Sequence, residues 1–210
     1  MLAALLVGCA VAGASTFPSA DATAQEPLLA AITSDDAAAV RELATAGADL
    51  SAPLARAGSA LHLAAACGSA TVVPVLLEAG ADPAAGGAAG CDATPVHVAA
   101  ARVGDGVLAA FVAAGVDVDA PDAYGVTPLG WAVCAGADAS RVTALLNAGA
   151  DASTSMLSGH NALDLAAACG RDDLVELLSA RGFEASGTEA AVVPPLGVLS
   201  VVYRAPVRLG

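Results

Sequence analysis

Lysine is absent from the chain, and its eight arginines face 21 acidic residues, leaving a net charge of −13 over 210 positions. Such a balance argues against nucleic acid and anionic membrane as partners, because both are held by a basic footprint. The acidity reads as solubility rather than as a designed docking surface, since net charge specifies function only weakly. Aromatic residues are almost as scarce, 3% against an apolar share of 57%, so a core has to be assembled from Ala, Leu and Val. No apolar run reaches the ~18 residues of a membrane-spanning helix.

Signatures of chemistry are missing too. The chain carries no G-x-S-x-G, no H-E-x-x-H, no phosphate-binding glycine loop and no dinucleotide glycine pattern. Ser, His and Asp occur, but nothing in their spacing brings them together, so no catalytic residue, no cofactor and no metal site is expected. Asp117, Asp119 and Asp122 cluster in one loop without the spacing and terminal glutamate of a calcium loop, and read as solvated acids. The five cysteines contain no C-x-x-C, and Cys91 falls at the opposite end of a helix from Cys67, which argues against zinc. Cys67 and Cys169 occupy equivalent places three repeats apart, roughly 30 Å at the spacing of packed helices, too far to bridge. Only Cys134 and Cys169 fall close enough in register to approach each other, and free thiols are expected throughout.

What the chain does have is a period. From Ser59 the residues read Ala60-Leu61-His62-Leu63-Ala64-Ala65, Gly68, Val72-Val73, Leu76-Leu77 and Gly80-Ala81-Asp82, a helix, a turn, a second helix and a loop. Neither helix is long enough to persist alone. Leu28, Leu61, Val96, Leu129 and Leu163 repeat the first anchor at steps of 33, 35, 33 and 34 residues. Gly47, Gly80, Gly115, Gly149 and Gly182, each opening a Gly-x-Asp or Gly-x-Glu ending, repeat at 33, 35, 34 and 33. Two independent rulers with one period define five units, near 25–57, 58–91, 92–124, 125–158 and 159–186.

With Thr94-Pro95-Val96-His97 and Thr127-Pro128-Leu129 followed by those endings, the chain resembles the ankyrin repeat family over roughly Gln25 to Ala185. The resemblance implies an all-α solenoid of antiparallel helix pairs joined by projecting fingers, with a concave surface that binds other proteins. Thr94 and Thr127 suit the helix N-cap, and Pro95 and Pro128 the first helical position. His62 and His97 stand where the family uses histidine to tie neighbouring loops. Gly130 and Asp164 replace it in the later units, which either lack the tie or make another.

Both ends depart from the period. Residues 1–24 read as a secretory segment: an apolar Leu2-Ala3-Ala4-Leu5-Leu6-Val7, then small residues that place cleavage after Ala24. Leu6-Val7-Gly8-Cys9 supports a competing reading as a lipoprotein box with a lipid anchor at Cys9, and a third reading leaves the chain in the cytoplasm. After residue 186 an extended tail, 187–210, carries Pro194-Pro195 and a β-branched stretch to Tyr203. It reads as a cover for the last unit, or as a strand offered to a partner.

Repeat register marks the expected exposed positions: Arg56, Cys91, Ala123, Tyr124, Val126, Leu157, Ser158 and His160 on the fingers, and Arg102, Cys134 and Cys169 at the ends of first helices. Of these Arg56, Arg102, Tyr124, Val126, Leu157 and His160 are the candidate partner-binding residues, with Tyr124 and its apolar and polar neighbours having the make-up of a hot spot. Trp131, in register with Leu63, Val98 and Leu165, is expected in the core. The leading expectation is a non-catalytic, monomeric module that binds an unidentified protein, exported to the periplasm or beyond. A structural subunit assembling through its tail and a thiol-based redox accessory protein are the alternatives.

Overall fold

Among the described residues, helices of seven to twelve residues follow one another in five pairs, each helix too short to hold its shape without a neighbour. The computed structural model describes residues 22–52, 54, 58–87, 92–102, 106–154 and 159–187. The expected export segment up to residue 21, with Cys9, the finger residues Arg56, Cys91, Leu157 and Ser158, and the tail from 188 onward lie outside them.

The pairs are α1 (Ala22–Thr33) with α2 (Ala37–Thr45), α3 (Ala60–Cys67) with α4 (Val72–Glu78), α5 (Pro95–Ala101) with α6 (Gly106–Ala113), α7 (Pro128–Cys134) with α8 (Ala139–Asn147), and α9 (Ala162–Ala168) with α10 (Asp172–Ala180). First helices pack in the order α1, α3, α5, α7, α9, and second helices pack α2 on α4 on α6 and α8 on α10. Among the described residues there is no strand, only an isolated antiparallel bridge between Leu54 and Gly58 in one finger.

The core follows from the anchors. Leu28, Leu61, Val96, Leu129 and Leu163 lie in successive first helices and are between 0% and 9% exposed. Burying each such side chain stabilises the stack by about 2 kcal/mol. Ala64, Ala65, Ala99, Ala100, Ala132 and Ala166 are fully enclosed beside them. Their single methyl lets neighbouring helices approach closely, which explains how a chain with so few aromatics fills its interior. Val72 and Leu76, Val107, Leu108 and Phe111, Val142 and Leu145, and Leu174 and Leu178 close the core from the second helices.

Helix ends carry the capping that the sequence predicts, with additions. Thr127 accepts the Gly130 N–H at 3.4 Å, and Asn161 Oδ1 accepts those of Leu163 and Asp164 at 3.1 Å each. Pro95 and Pro128 open their helices. Pro27 lies inside α1, which extends upstream to Ala22 at the cost of the bond that proline cannot donate. At Gly80 the chain turns left-handed, φ 89°, and the Ala81 N–H returns to Leu76 O at 2.9 Å, a close that recurs after every second helix. Asp35, a non-glycine residue at φ 55°, caps a helix in the next unit: its carboxylate accepts the N–H groups of Thr71 and Val72 at 3.1 and 3.2 Å. That strained aspartate holds unit 1 against unit 2.

Candidate functional site

Units are joined on the finger side by a device built from the first turn of α3 and of α5. In α3, the Ser59 N–H donates to His62 Nδ1 at 3.2 Å, and His62 Nε2 lies 2.8 Å from the Ala93 carbonyl of the next finger. In α5, the Thr94 N–H donates to His97 Nδ1 at 3.0 Å, and His97 Nε2 lies 2.9 Å from the Val126 carbonyl. Because Nδ1 accepts a backbone N–H, the single imidazole proton must sit on Nε2 and donate to the carbonyl. Burial lowers the pKa of His62 below its ordinary value although the Ala93 carbonyl pulls it up. It lowers that of His97 as well, against the Val126 carbonyl and the charge of Asp122. Both rings are therefore neutral ties. The backbone runs close against one of them: a Cβ on Gly87 would lie 3.3 Å from His62 Nε2 and 3.0 Å from Ala93 O.

The finger between α6 and α7 is knotted around Asp122, which is 7% exposed. Its Oδ1 accepts the N–H groups of Tyr124 and Val126, each at 2.9 Å, and its Oδ2 accepts the Trp131 indole N–H at 2.8 Å. Its own N–H donates to Val126 O at 3.0 Å. The Trp131 ring meets His97 edge to face, centroids 5.2 Å apart at 67°. One carboxylate thus fixes the loop backbone, the indole and, through Val126 O, the imidazole tie. At the tip Tyr124 is 48% exposed, the one large apolar side chain among the described residues that stands out to solvent.

The later units solve the joint differently. Gly130 brings no side chain to the place of the histidines. In the last unit Asn161 Nδ2–H donates to Glu184 O at 2.7 Å, and Asp164 accepts the N–H groups of Asn161, at 2.9 Å, and Ser186, at 3.3 Å. Burial opposes ionisation of Asp164, but the bonds from Ser186 and Asn161 and the charge of His160 outweigh it and hold the carboxyl below the usual carboxylate range. On the turn side, longer side chains reach back one unit. Ser69 Oγ–H donates to Ile32 O at 2.6 Å, the Arg102 guanidinium donates to Ala66 O, and Arg171 Nη2–H donates to Ala137 O at 2.7 Å.

Against this geometry the candidate residues separate. Tyr124 is exposed as expected. His160 is not: it is 5% exposed, a correction to its place among the surface positions. It precedes the N-cap of its helix and turns inward as Gly58 and Ala93 do at the same place, and the small, apolar character of those two was the signal in register. Val126 is half-buried and packs on the core, so it offers an edge and not a face. Arg102 is half-buried and committed to Ala66 O. Asp122, read from the sequence as a solvated acid, is the hub of the finger. Trp131 is buried as expected, with its indole proton satisfied.

Three cysteines, Cys67, Cys134 and Cys169, are free thiols and half-buried. Cys134 and Cys169, in adjacent units, are neighbouring thiols that act on each other's ionisation. The neighbouring thiol and burial push Cys134 far up. The same neighbour, with help from the nearby Arg171 cation, brings Cys169 down to about 7 despite burial. Among the described residues no three His, Cys, Asp or Glu side chains are grouped to hold a metal, and no helix is long and apolar enough to cross a membrane.

Compared with known families, residues 90–188 match a family model described as ankyrin repeats in three copies, and residues 59–87 match one described as ankyrin repeat. No curated protein matches the chain.

Proposed function

The chain belongs to the ankyrin repeat family, and from that premise we propose that it is a non-catalytic module that captures one protein partner, with Tyr124 as its aromatic anchor. The observation that carries this reading is the contrast at the finger tip: a tyrosine that is 48% exposed, on a loop whose backbone N–H groups are already held by a buried carboxylate. An anchor fixed before binding loses little conformational freedom on association, which is how a few residues come to carry most of an interface.

The test is capture of a partner by the wild-type chain and by Tyr124→Ala, with helix content measured on both. Tenfold or greater weakening with the fold retained supports the reading; equal capture by a folded Tyr124→Ala contradicts it. Export remains part of the proposal, on the strength of the apolar run Leu2–Val7 and the small residues before Gln25. A mature N-terminus at Gln25, recovered from an envelope or secreted fraction, is the expected outcome. A lipid-modified Cys9 would replace cleavage by anchoring, and an intact Met1 confined to the cytoplasm would overturn export.

A further inference from the structure

Cys134 is the last residue of α7 and Cys169 the C-cap of α9, so the two thiols stand at the same end of adjacent, packed first helices. They are half-buried, and each acts on the ionisation of the other. They face the same unit-to-unit seam, at the opposite helix end, to which Gly130 contributes no side chain where α3 and α5 contribute an imidazole. We propose that Cys134 and Cys169 are a regulatory dithiol, oxidised by a hydroperoxide to a disulfide that staples the fourth unit to the fifth.

The direction of the chemistry follows from the surroundings. Both sulfurs sit at the negative ends of helices, which by itself discourages ionisation. The Arg171 guanidinium, held by Ala137 O at 2.7 Å and paired with Asp173 at 2.8 Å, stands near Cys169. That cation makes Cys169, with its pKa near 7, the attacking thiolate, and Cys134, raised by its neighbour and by burial, the resolving thiol. The Cys169 sulfur attacks the terminal peroxide oxygen; an S–O bond forms, the O–O bond breaks, and the alkoxide takes a proton and leaves as alcohol. Cys134 then loses its proton and attacks that sulfur; the S–S bond forms, the S–O bond breaks, and hydroxide leaves with that proton as water. Two thiols and one hydroperoxide give one disulfide, one alcohol and one water.

Closing the sulfurs to a bond of about 2.05 Å is a movement of helix ends: both cysteines lie where a helix is ending, just ahead of Gly136 and Gly170 at φ 78° and 66°. Cys67 is the built-in control. It matches Cys169 in repeat position, and Arg102 lies near it as Arg171 lies near Cys169, but burial dominates and raises its thiol.

The experiment uses the full chain with Cys9→Ser, Cys67→Ser and Cys91→Ser, treated with hydrogen peroxide and read by intact mass and non-reducing peptide mapping. The expected result is loss of two hydrogens, one cross-linked peptide joining positions 134 and 169, and an unfolding midpoint raised by roughly 5–10 °C that reverts with dithiothreitol. Adding Cys134→Ser should leave a sulfenic acid on Cys169 that dimedone traps, whereas adding Cys169→Ser should leave Cys134 unreacted over the same interval. Mapping of the wild-type chain gives the same reading should the multiple variant fail to fold. Unchanged thiols, sulfinic acid without a cross-link, or a bridge from either cysteine to any other residue would overturn the proposal.

Discussion

Units 2 and 3 and unit 5 do the same mechanical work with different chemistry. In the first two, a neutral imidazole spans from its own helix N-terminus to the next finger's carbonyl, at 2.8 Å for His62 and 2.9 Å for His97. In the last, an amide and a carboxylate divide the task, Asn161 donating to Glu184 O and Asp164 accepting from Ser186 N–H, while the fourth unit has a glycine there. A repeat scaffold specifies that a joint be made, not which atoms make it, because each unit touches only its neighbours. Substitutions at one joint are then felt locally, and the two halves should respond to different conditions.

The sharpest way to break this comparison is at Asp122, which holds the finger that receives the His97 tie. Asp122→Ala removes the acceptor of three N–H groups, those of Tyr124, Val126 and Trp131. It should destabilise the chain by about 4 kcal/mol, read as a fall in the urea midpoint, because buried donors left unpaired cost the most. It should also loosen the Tyr124 finger, so partner capture falls with it. Next in size, His97→Ala should cost about 2 kcal/mol in the same assay, whereas Asp164→Ala, acting on a half-buried joint, should cost about 1 kcal/mol. Equal losses would mean that the two joints are energetically alike. Smallest is Arg41→Ala, which removes a 3.6 Å pairing with Glu78 between side chains that are mostly exposed. Its effect should stay within about 0.5 kcal/mol, and a larger one would show that surface ties between units matter as much as the buried ones.

The scaffold was readable because burial enforces it. Leu28, Leu61, Val96, Leu129 and Leu163 recur at one period since a side chain that is not a branched aliphatic would fill its layer poorly, and His62 and His97 recur because one geometry suits one ring. The finger was less readable, since its determinants are not periodic. Asp122 looks like any loop acid until Trp131, nine residues on, is recognised as a buried indole whose N–H must find an acceptor. The inward turn of His160 was foreshadowed by Ala93 and masked by the usual polarity of histidine. Asp35 and Arg171 act through backbone strain and side-chain reach, neither of which leaves a pattern in spacing. The meeting of Cys134 with Cys169 was legible only as a near coincidence of register.

The two joints differ most plainly in how they respond to acid. In the unfolded chain a histidine titrates near 6.5, and in the fold burial holds His62 and His97 below that value. Their contribution is therefore intact above pH 6.5 and lost as the pH falls, because the unfolded chain takes up protons that the fold refuses. Asp164, held below its ordinary 3.8, keeps its contribution until the pH drops under that value. The direct test is residue-resolved amide hydrogen exchange at pH 7.5 and pH 5, corrected for the intrinsic pH dependence of exchange. Protection should fall in α3 and α5 and persist in α9 and α10; a uniform loss across the stack, or a loss confined to the last unit, would contradict the account.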